Sequence, residues 1–168
     1  YHEKRPEHLA AVINNLLNLA RPSGGETGPV DLNVIIGDVL SLLEHQFKTG
    51  RIQVRRDLQD DRLIVRGMEY KLQQVFLNLF LNARDAMPKG GWLTVSARMK
   101  GDEAVAEVGD TGIGIPPEHL ARIYDPFFTT KGEGRGTGLG LSVTFGIVNE
   151  HGGTLSCESE PGQGTRFR

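Results

Sequence analysis

Hydrophobic residues recur at the three- and four-residue spacing of an α-helix in four stretches of this chain. These stretches are 8–20, 32–47, 68–86 and 139–148. Such spacing places the apolar side chains on one face of a helix, which can then pack against a core. Asp31 stands where its side chain can cap the second stretch. The pattern therefore predicts four helices.

Short runs that alternate between apolar and polar residues, or that are rich in β-branched residues, lie between and after these helices. Turn residues separate the runs in pairs, so we expect three pairs of strands, the first of them a hairpin that turns at Asp60 and Asp61. The paired runs are 51–55 with 62–65, 92–99 with 104–108, and 153–158 with 165–168.

The predicted helices and strands do not follow the strict strand–helix–strand order of a fully parallel sheet. We therefore expect an α+β fold, a two-layer α/β sandwich with a mixed sheet and its helices on one face. Residues 1–22 have a narrow apolar stripe that requires a partner helix, and residues 23–29 form a polar linker with glycines. Residues 30–168 are expected to form the domain itself.

The composition excludes several function classes. The chain has 168 residues, 38% hydrophobic and 24% charged, which suffices for one domain with a core. Its net charge of −2 gives no basic surface for nucleic acid. Cys157 is the only cysteine, so an internal disulfide and a cysteine metal cluster are excluded. No apolar run is long enough for a membrane helix, so we expect no membrane contact, and the abrupt ends indicate a fragment of a longer protein.

Two asparagines and an aspartate share one side of the third predicted helix. Asn78 and Asn82 are four residues apart, and Asp85 follows three residues later. Asparagine is a poor helix former, so this pair costs stability unless its amides are used. A carboxamide oxygen is a ligand that suits Mg²⁺. A capped or solvent-facing pair of asparagines is the alternative.

A carboxylate and two glycines follow the predicted strand 104–108. Asp110 can only accept hydrogen bonds when ionised, so it suits an exocyclic amine such as that of adenine. Gly112 and Gly114 come next in the chain. A purely structural role of Asp110 in its turn is the alternative.

A second glycine cluster, at Gly136, Gly138 and Gly140, leads directly into the last predicted helix. Glycines before a helix start can present free N–H groups to a phosphate. Lys131 and Arg135 would bring positive charge to the same place. The alternative is a flexible surface loop without a ligand.

Four ordered motifs resemble those of the catalytic ATP-binding domain of sensor histidine kinases, in the GHKL ATPase superfamily. Residues 74–86 are similar to its asparagine box and 110–115 to its first glycine box. Residues 125–131 are similar to its phenylalanine box and 136–141 to its second glycine box. The form of residues 82–87 and the short loop after Lys131 resemble the nitrogen-regulation branch.

This resemblance implies a Bergerat ATP-binding sandwich that uses ATP and Mg²⁺. Asn82 is the implied metal ligand, and Asn78 and Lys131 are the implied catalytic residues. Thr165 would support the contact of Asp110 with adenine through water. The implied nucleotide-binding residues are Asn78, Asn82, Arg84, Asp85, Asp110, Gly112, Gly114, Ile115, Lys131, Gly136, Thr137, Gly138, Leu139, Gly140, Leu141 and Thr165.

The resemblance extends to the partners. Residues 1–22 are similar to the end of the second helix of the dimerisation and phosphoacceptor hairpin. The implied activity is transfer of the γ-phosphoryl group of Mg·ATP to a histidine of that hairpin, in a homodimeric parent, for relay to a response regulator receiver domain. The receiving histidine is expected outside this chain, and the domain is expected in the cytoplasm even if the parent is anchored in a membrane.

Two other functions fit the same motifs. One is a GHKL ATPase of the gyrase or mismatch-repair type, which needs a glutamate before the metal ligand on the asparagine helix. Gln74 and Asn78 occupy that side here, which disfavours hydrolysis. The other is a nucleotide-sensing module without catalysis, which the four intact motifs disfavour.

Overall fold

The computed structural model describes residues 27–125 and 140–168, so the predicted helix at 8–20 lies outside the described residues. The elements are, in chain order, β1 (Gly28–Asp31), α1 (Leu32–Leu42), α2 (Glu44–Thr49), β2 (Ile52–Leu58), β3 (Ile64–Gly67), α3 (Glu69–Ala86), β4 (Gly91–Lys100), β5 (Glu103–Asp110), α4 (Pro117–Leu120), α5 (Gly140–Glu150), β6 (Cys157–Glu160) and β7 (Gly164–Phe167).

Five of these strands form one mixed sheet in the order β2-β4-β5-β7-β6. β2 and β4 run parallel, and the other neighbours run antiparallel. The predicted pairings of β4 with β5 and of β6 with β7 are confirmed. The mixed sheet predicted from the sequence is therefore present.

The predicted hairpin between 51–55 and 62–65 is wrong. β2 pairs with β4, and β3 pairs antiparallel with β1 in a separate two-stranded sheet. Beside β4, Val54 lies level with Leu93, whose side chain is fully buried. Alternation in a sequence identifies a strand but not its partner, and here the core offered by β4 outweighs the nearby turn residues.

The single helix predicted over 32–47 is divided at Leu43. This residue has φ −98° and ψ 4°, outside the helical range, and its side chain is buried, as is that of Phe47. The helical hydrogen bond from Phe47 N to Leu43 O is kept at 3.0 Å. The chain therefore changes direction at Leu43 while the side chains of Leu43 and Phe47 stay in the core. The predicted end at Thr49 and Gly50 is confirmed.

The helices cover one face of the large sheet, which completes the predicted two-layer sandwich. On β4 the side chains of Leu93, Val95 and Ala97 are fully buried, whereas Trp92, which precedes them on the opposite face of the strand, is 42% exposed. α3 lies in the middle of the helix layer and contacts both α1 and α5. Phe80 of α3 is fully buried in the core.

The end of α5 is fixed to the start of α3. The Met68 N–H donates to His151 Nε2 at 3.0 Å, and His151 Nδ1 lies 2.8 Å from Ile147 O. A carbonyl oxygen only accepts, so the proton of the neutral ring must be on Nδ1. Lys71 and Glu150 add an ion pair at 2.8 Å. These contacts hold the C-terminal end of α5 independently of any contact at its first turn.

Candidate nucleotide-binding site

Asp110 is the last residue of β5, and its carboxylate is held by the backbone. Its Oδ1 accepts from Gly112 N at 2.8 Å and from Thr165 N at 3.3 Å. Partial burial raises the pKa of Asp110, and the two backbone hydrogen bonds oppose that rise. Among the described residues none donates to Oδ2, so one carboxylate oxygen has a fixed direction and spare accepting capacity.

Glycines are required in the turn that follows Asp110 and at the start of the neighbouring strand β7. A Cβ on Gly112 would lie 2.2 Å from Ala86 O, and a Cβ on Gly164 would lie 2.0 Å from Asp110 O. Gly114 has φ +77°, and a Cβ on it would clash equally with Glu160 O. The turn after β5 is thereby packed against the end of α3 and against β6.

A pair of hydroxyl groups lies beside Asp110, one on β6 and one on β7. Ser159 Oγ lies 2.8 Å from Thr165 Oγ1, accepts from Ile115 N at 2.7 Å and donates to Gly164 O at 3.0 Å. Thr165 is only 5% exposed. The sequence analysis missed Ser159, which lies one residue beyond the predicted strand 153–158, and its position opposite Thr165 is known only from the structure.

The other wall of the site is the junction of α3 with the first turn of α5. Asn78 Nδ2 donates to Gly140 O at 3.0 Å and to Thr144 Oγ1 at 3.2 Å, and Gln74 Nε2 donates to Asn78 Oδ1 at 2.6 Å. The side chains of Gln74, Asn78 and Thr144 are all buried. The sequence analysis did not identify Gln74 or Thr144 as site residues. Thr144 belongs to the site only through its contact with Asn78 on another helix, and Gln74 only through its contact with Asn78 one turn further along α3.

Asn82 lies between these two walls. One turn before it, Asn78 contacts α5, and one turn after it, Ala86 O accepts from Ile113 N at 2.9 Å. Asn82 is partly buried, and within the described ranges its side chain makes no hydrogen bond. Its carboxamide oxygen is therefore available to a cation.

Arg84 and Asp85 are paired with each other. The Arg84 Nη2 to Asp85 Oδ1 distance is 3.1 Å, and their side chains are 16% and 25% exposed. Arg84 Nη1 is buried without a hydrogen-bond partner in the described parts of the chain. Whether either side chain meets a phosphate stays a prediction.

The remaining predicted residues divide into two groups. Leu141 of α5 is partly buried beside Gly140, and Ile115 packs against the core next to Ser159. The predicted residues Lys131, Gly136, Thr137, Gly138 and Leu139 lie outside the described residues.

The donor set fits a metal that needs few protein ligands. Within residues 27–125 and 140–168, no group of three or more His, Cys, Asp or Glu side chains could hold a metal ion. Mg²⁺ commonly completes its shell with water and phosphate oxygens, so the Asn82 oxygen fits its requirements.

None of the described helices is long and apolar enough to cross a membrane.

Family comparison relates this arrangement to known proteins. Residues 67–168 match the family described as histidine kinase-, DNA gyrase B- and HSP90-like ATPase. The sensor histidine kinase ZraS of Escherichia coli strain K12 is 38% identical over 164 residues, which cover 98% of this chain and 35% of ZraS. The chain thus spans only a minor part of that curated relative.

Solved histidine kinase structures have the same fold. The nucleotide-free catalytic domain of ThkA matches with a TM-score of 0.76 and 30% identity, over 84% of this chain and 92% of that one. ThkA in complex with the response regulator protein TrrA matches with a TM-score of 0.76 and 25% identity, over 95% and 45%. Full-length ShkA in complex with AMPPNP matches with a TM-score of 0.78 and 27% identity, over 96% and 35%.

Proposed function

Because this chain belongs to the histidine kinase-, DNA gyrase B- and HSP90-like ATPase family and is the catalytic ATP-binding domain of a sensor histidine kinase, we propose that it binds Mg·ATP and transfers the γ-phosphoryl group to a histidine. The acceptor would lie on the dimerisation hairpin of a homodimeric parent, and a response regulator receiver domain would take the phosphoryl group next. This chemistry depends on positioning and charge neutralisation more than on covalent catalysis.

The observation that supports this proposal most strongly is the state of Asp110. Two backbone N–H groups fix Oδ1, and the other oxygen is left with accepting capacity. That is the arrangement needed to accept from the exocyclic amine of adenine. Thr165 would add a hydroxyl beside the base, and Ser159 would hold that hydroxyl in place.

Asn82 is the proposed metal ligand. Mg²⁺ bound there would supply positive charge to the β- and γ-phosphates. Asn82 would hold the cation through its carboxamide oxygen, next to the first turn of α5. The N-terminus of a helix favours negative charge because it carries free N–H groups and the positive end of the helix dipole. The N-terminus of α5 therefore supports a triphosphate. Lys131 and residues 136–139 are proposed to complete the phosphate contacts.

Two relatives support the ligand and the partner. ShkA was solved with AMPPNP, an ATP analogue, and ThkA with its response regulator TrrA. By analogy we assign ATP and a receiver domain to the present protein, with a cytoplasmic location. Membership of the nitrogen-regulation branch remains a proposal based on residues 82–87.

A single labelling experiment tests the proposed function. The chain, mixed with its upstream hairpin, is incubated with Mg²⁺ and ATP labelled at the γ-phosphate. We expect protein label that is lost in acid and kept in base, as for phosphohistidine. Multiple-turnover hydrolysis with no labelled protein would instead support the gyrase-type ATPase. That outcome is disfavoured because the only glutamate of α3 is Glu69, exposed in its first turn.

A further inference from the structure

The amide network consists of the buried side chains of Gln74, Asn78 and Thr144 and the backbone carbonyl of Gly140, and it joins α3 to the first turn of α5. Gln74 is 1% exposed, Asn78 6% and Thr144 0%. Buried polar groups without partners are costly, and here each side chain has at least one. The network therefore defines one relative placement of the two helices at this end.

Hydrogen-bond chemistry fixes the orientation of the Asn78 amide. Gly140 O can only accept, and Thr144 Oγ1 gives its hydrogen to Gly140 O at 2.8 Å. The Asn78 nitrogen must therefore face α5, where it donates to both atoms. Its oxygen then faces Gln74, whose Nε2 donates to it. A flipped amide would bring its oxygen against the Gly140 carbonyl.

Both N–H bonds of Asn78 are consequently in use. The side chain cannot donate to a phosphate without releasing α5, and its contact with the helix start is close, since a Cβ on Gly140 would lie 3.9 Å from Asn78 Cγ. The other end of α5 is held separately by His151. Loss of the network would therefore move the helix start more than the whole helix.

We propose that Gln74 and Thr144 are positioning residues, which hold the Asn78 carboxamide against Gly140 and so place the first turn of α5 for phosphate binding. Asn78 then acts through α5, not by direct contact with the nucleotide. This inference rests on the proposed function. It adds two residues, and a role for a third, to the nucleotide site.

The first test compares Thr144→Val with Thr144→Ser. Valine keeps the shape but removes the hydroxyl, whereas serine keeps it. We expect the ATP dissociation constant and KM to rise about 3- to 10-fold in Thr144→Val, the range for one lost hydrogen bond, with kcat within about twofold. Thr144→Ser should be near the wild type. Asn149→Ala, at an exposed position on α5, is the matched control.

The second test is a double-mutant cycle on ATP binding measured by calorimetry. If Asn78 acts only through the network, Thr144→Val and Gln74→Met should each lose most of their effect in an Asn78→Ala background. Fully additive effects, or a fall in kcat of Asn78→Ala with an unchanged KM, would overturn the proposal. Thermal unfolding without nucleotide identifies any variant that does not fold, and if Thr144→Val does not fold, Gln74→Met still tests the network from the other side of Asn78.

Failure of this inference can be separated from failure of the proposed function. If the wild type binds ATP but labels no histidine, the kinase proposal fails while calorimetry still tests the network. If the wild type labels its histidine but Thr144→Val binds ATP as well as Thr144→Ser, only the network proposal fails.

Discussion

Replacement of Asp110 by asparagine should change which nucleotide base this domain prefers. Asparagine has the same shape, so its oxygen can keep the bonds from Gly112 N and Thr165 N. The other branch of the side chain then becomes an NH₂ group. Facing the adenine amine, it would place a donor against a donor. Facing the 6-oxo group of inosine, it would form a hydrogen bond.

The expected size of the change follows from the lost contact. A hydrogen bond to a charged group contributes about 1.5–3 kcal/mol, so Asp110→Asn should weaken ATP binding about 10- to 150-fold. Binding of inosine triphosphate should improve or stay level. The ratio of the two dissociation constants, measured by calorimetry in Mg²⁺, should therefore move towards inosine by at least about tenfold.

Folding stability provides the control for this variant. Burial raises the folded-state pKa of Asp110 above its ordinary value of 3.8, so the ionised carboxylate is disfavoured in the folded protein. The contribution of Asp110 to the folding stability of the wild type is thus most favourable below pH 3.8 and is lost as the pH rises through the folded-state pKa. Asp110→Asn should not lower the unfolding temperature at pH 7. A destabilised variant, or an equal loss of affinity for both nucleotides, would refute the reasoning.

Three other substitutions or treatments test separate contacts. Gly164→Ala should lower the free energy of unfolding, measured by denaturant titration, by about 2–5 kcal/mol because its Cβ would meet Asp110 O. The control Gly162→Ala, where an added Cβ meets nothing, should lower it by about 1 kcal/mol. Asn82→Asp should weaken Mg·ATP binding about tenfold because a negative charge would face the triphosphate; unchanged calorimetric affinity would remove the metal assignment. Burial raises the pKa of Cys157 to about 11, so iodoacetamide should react slowly with the folded protein at pH 8. The contribution of this thiol to folding stability should be lost between pH 9 and 11. Rapid alkylation of the native protein at pH 8 would contradict this.

Local pattern was sufficient for most elements of the fold and for two of the three predicted strand pairs, but not for the partners of β2 and β3. The spacing over 68–86 and the turn at Gly101 are local signals, and both predicted elements are confirmed. The pairing of β2 with β4 depends instead on a surface built by residues distant in the chain. No feature within 51–65 specifies that surface, so the nearest turn gave a wrong hairpin.

The same limit applies to the site. Asp110 could be proposed from its own position because a carboxylate at a strand end followed by glycines is a local feature. Ser159 and Thr144 could not, since a serine in a strand or a threonine in a helix is ordinary until its partner is known. Each becomes significant only through a hydrogen bond to a different element, to Thr165 in one case and to Asn78 in the other.

Unused hydrogen-bonding capacity separates the residues that hold the fold from those that can hold a ligand. Asn78 and Asp110 were both proposed as nucleotide contacts; Asn78 is buried and Asp110 is partly buried. Asn78 uses its two donors on α5 and its acceptor on Gln74. Asp110 has an oxygen to which no described residue donates, and Asn82 makes no side-chain hydrogen bond with any described residue. Because a partly buried group without a partner costs stability, its persistence in a fold favours a ligand that completes it. This reasoning assigns binding to Asp110 and Asn82, and positioning to Asn78.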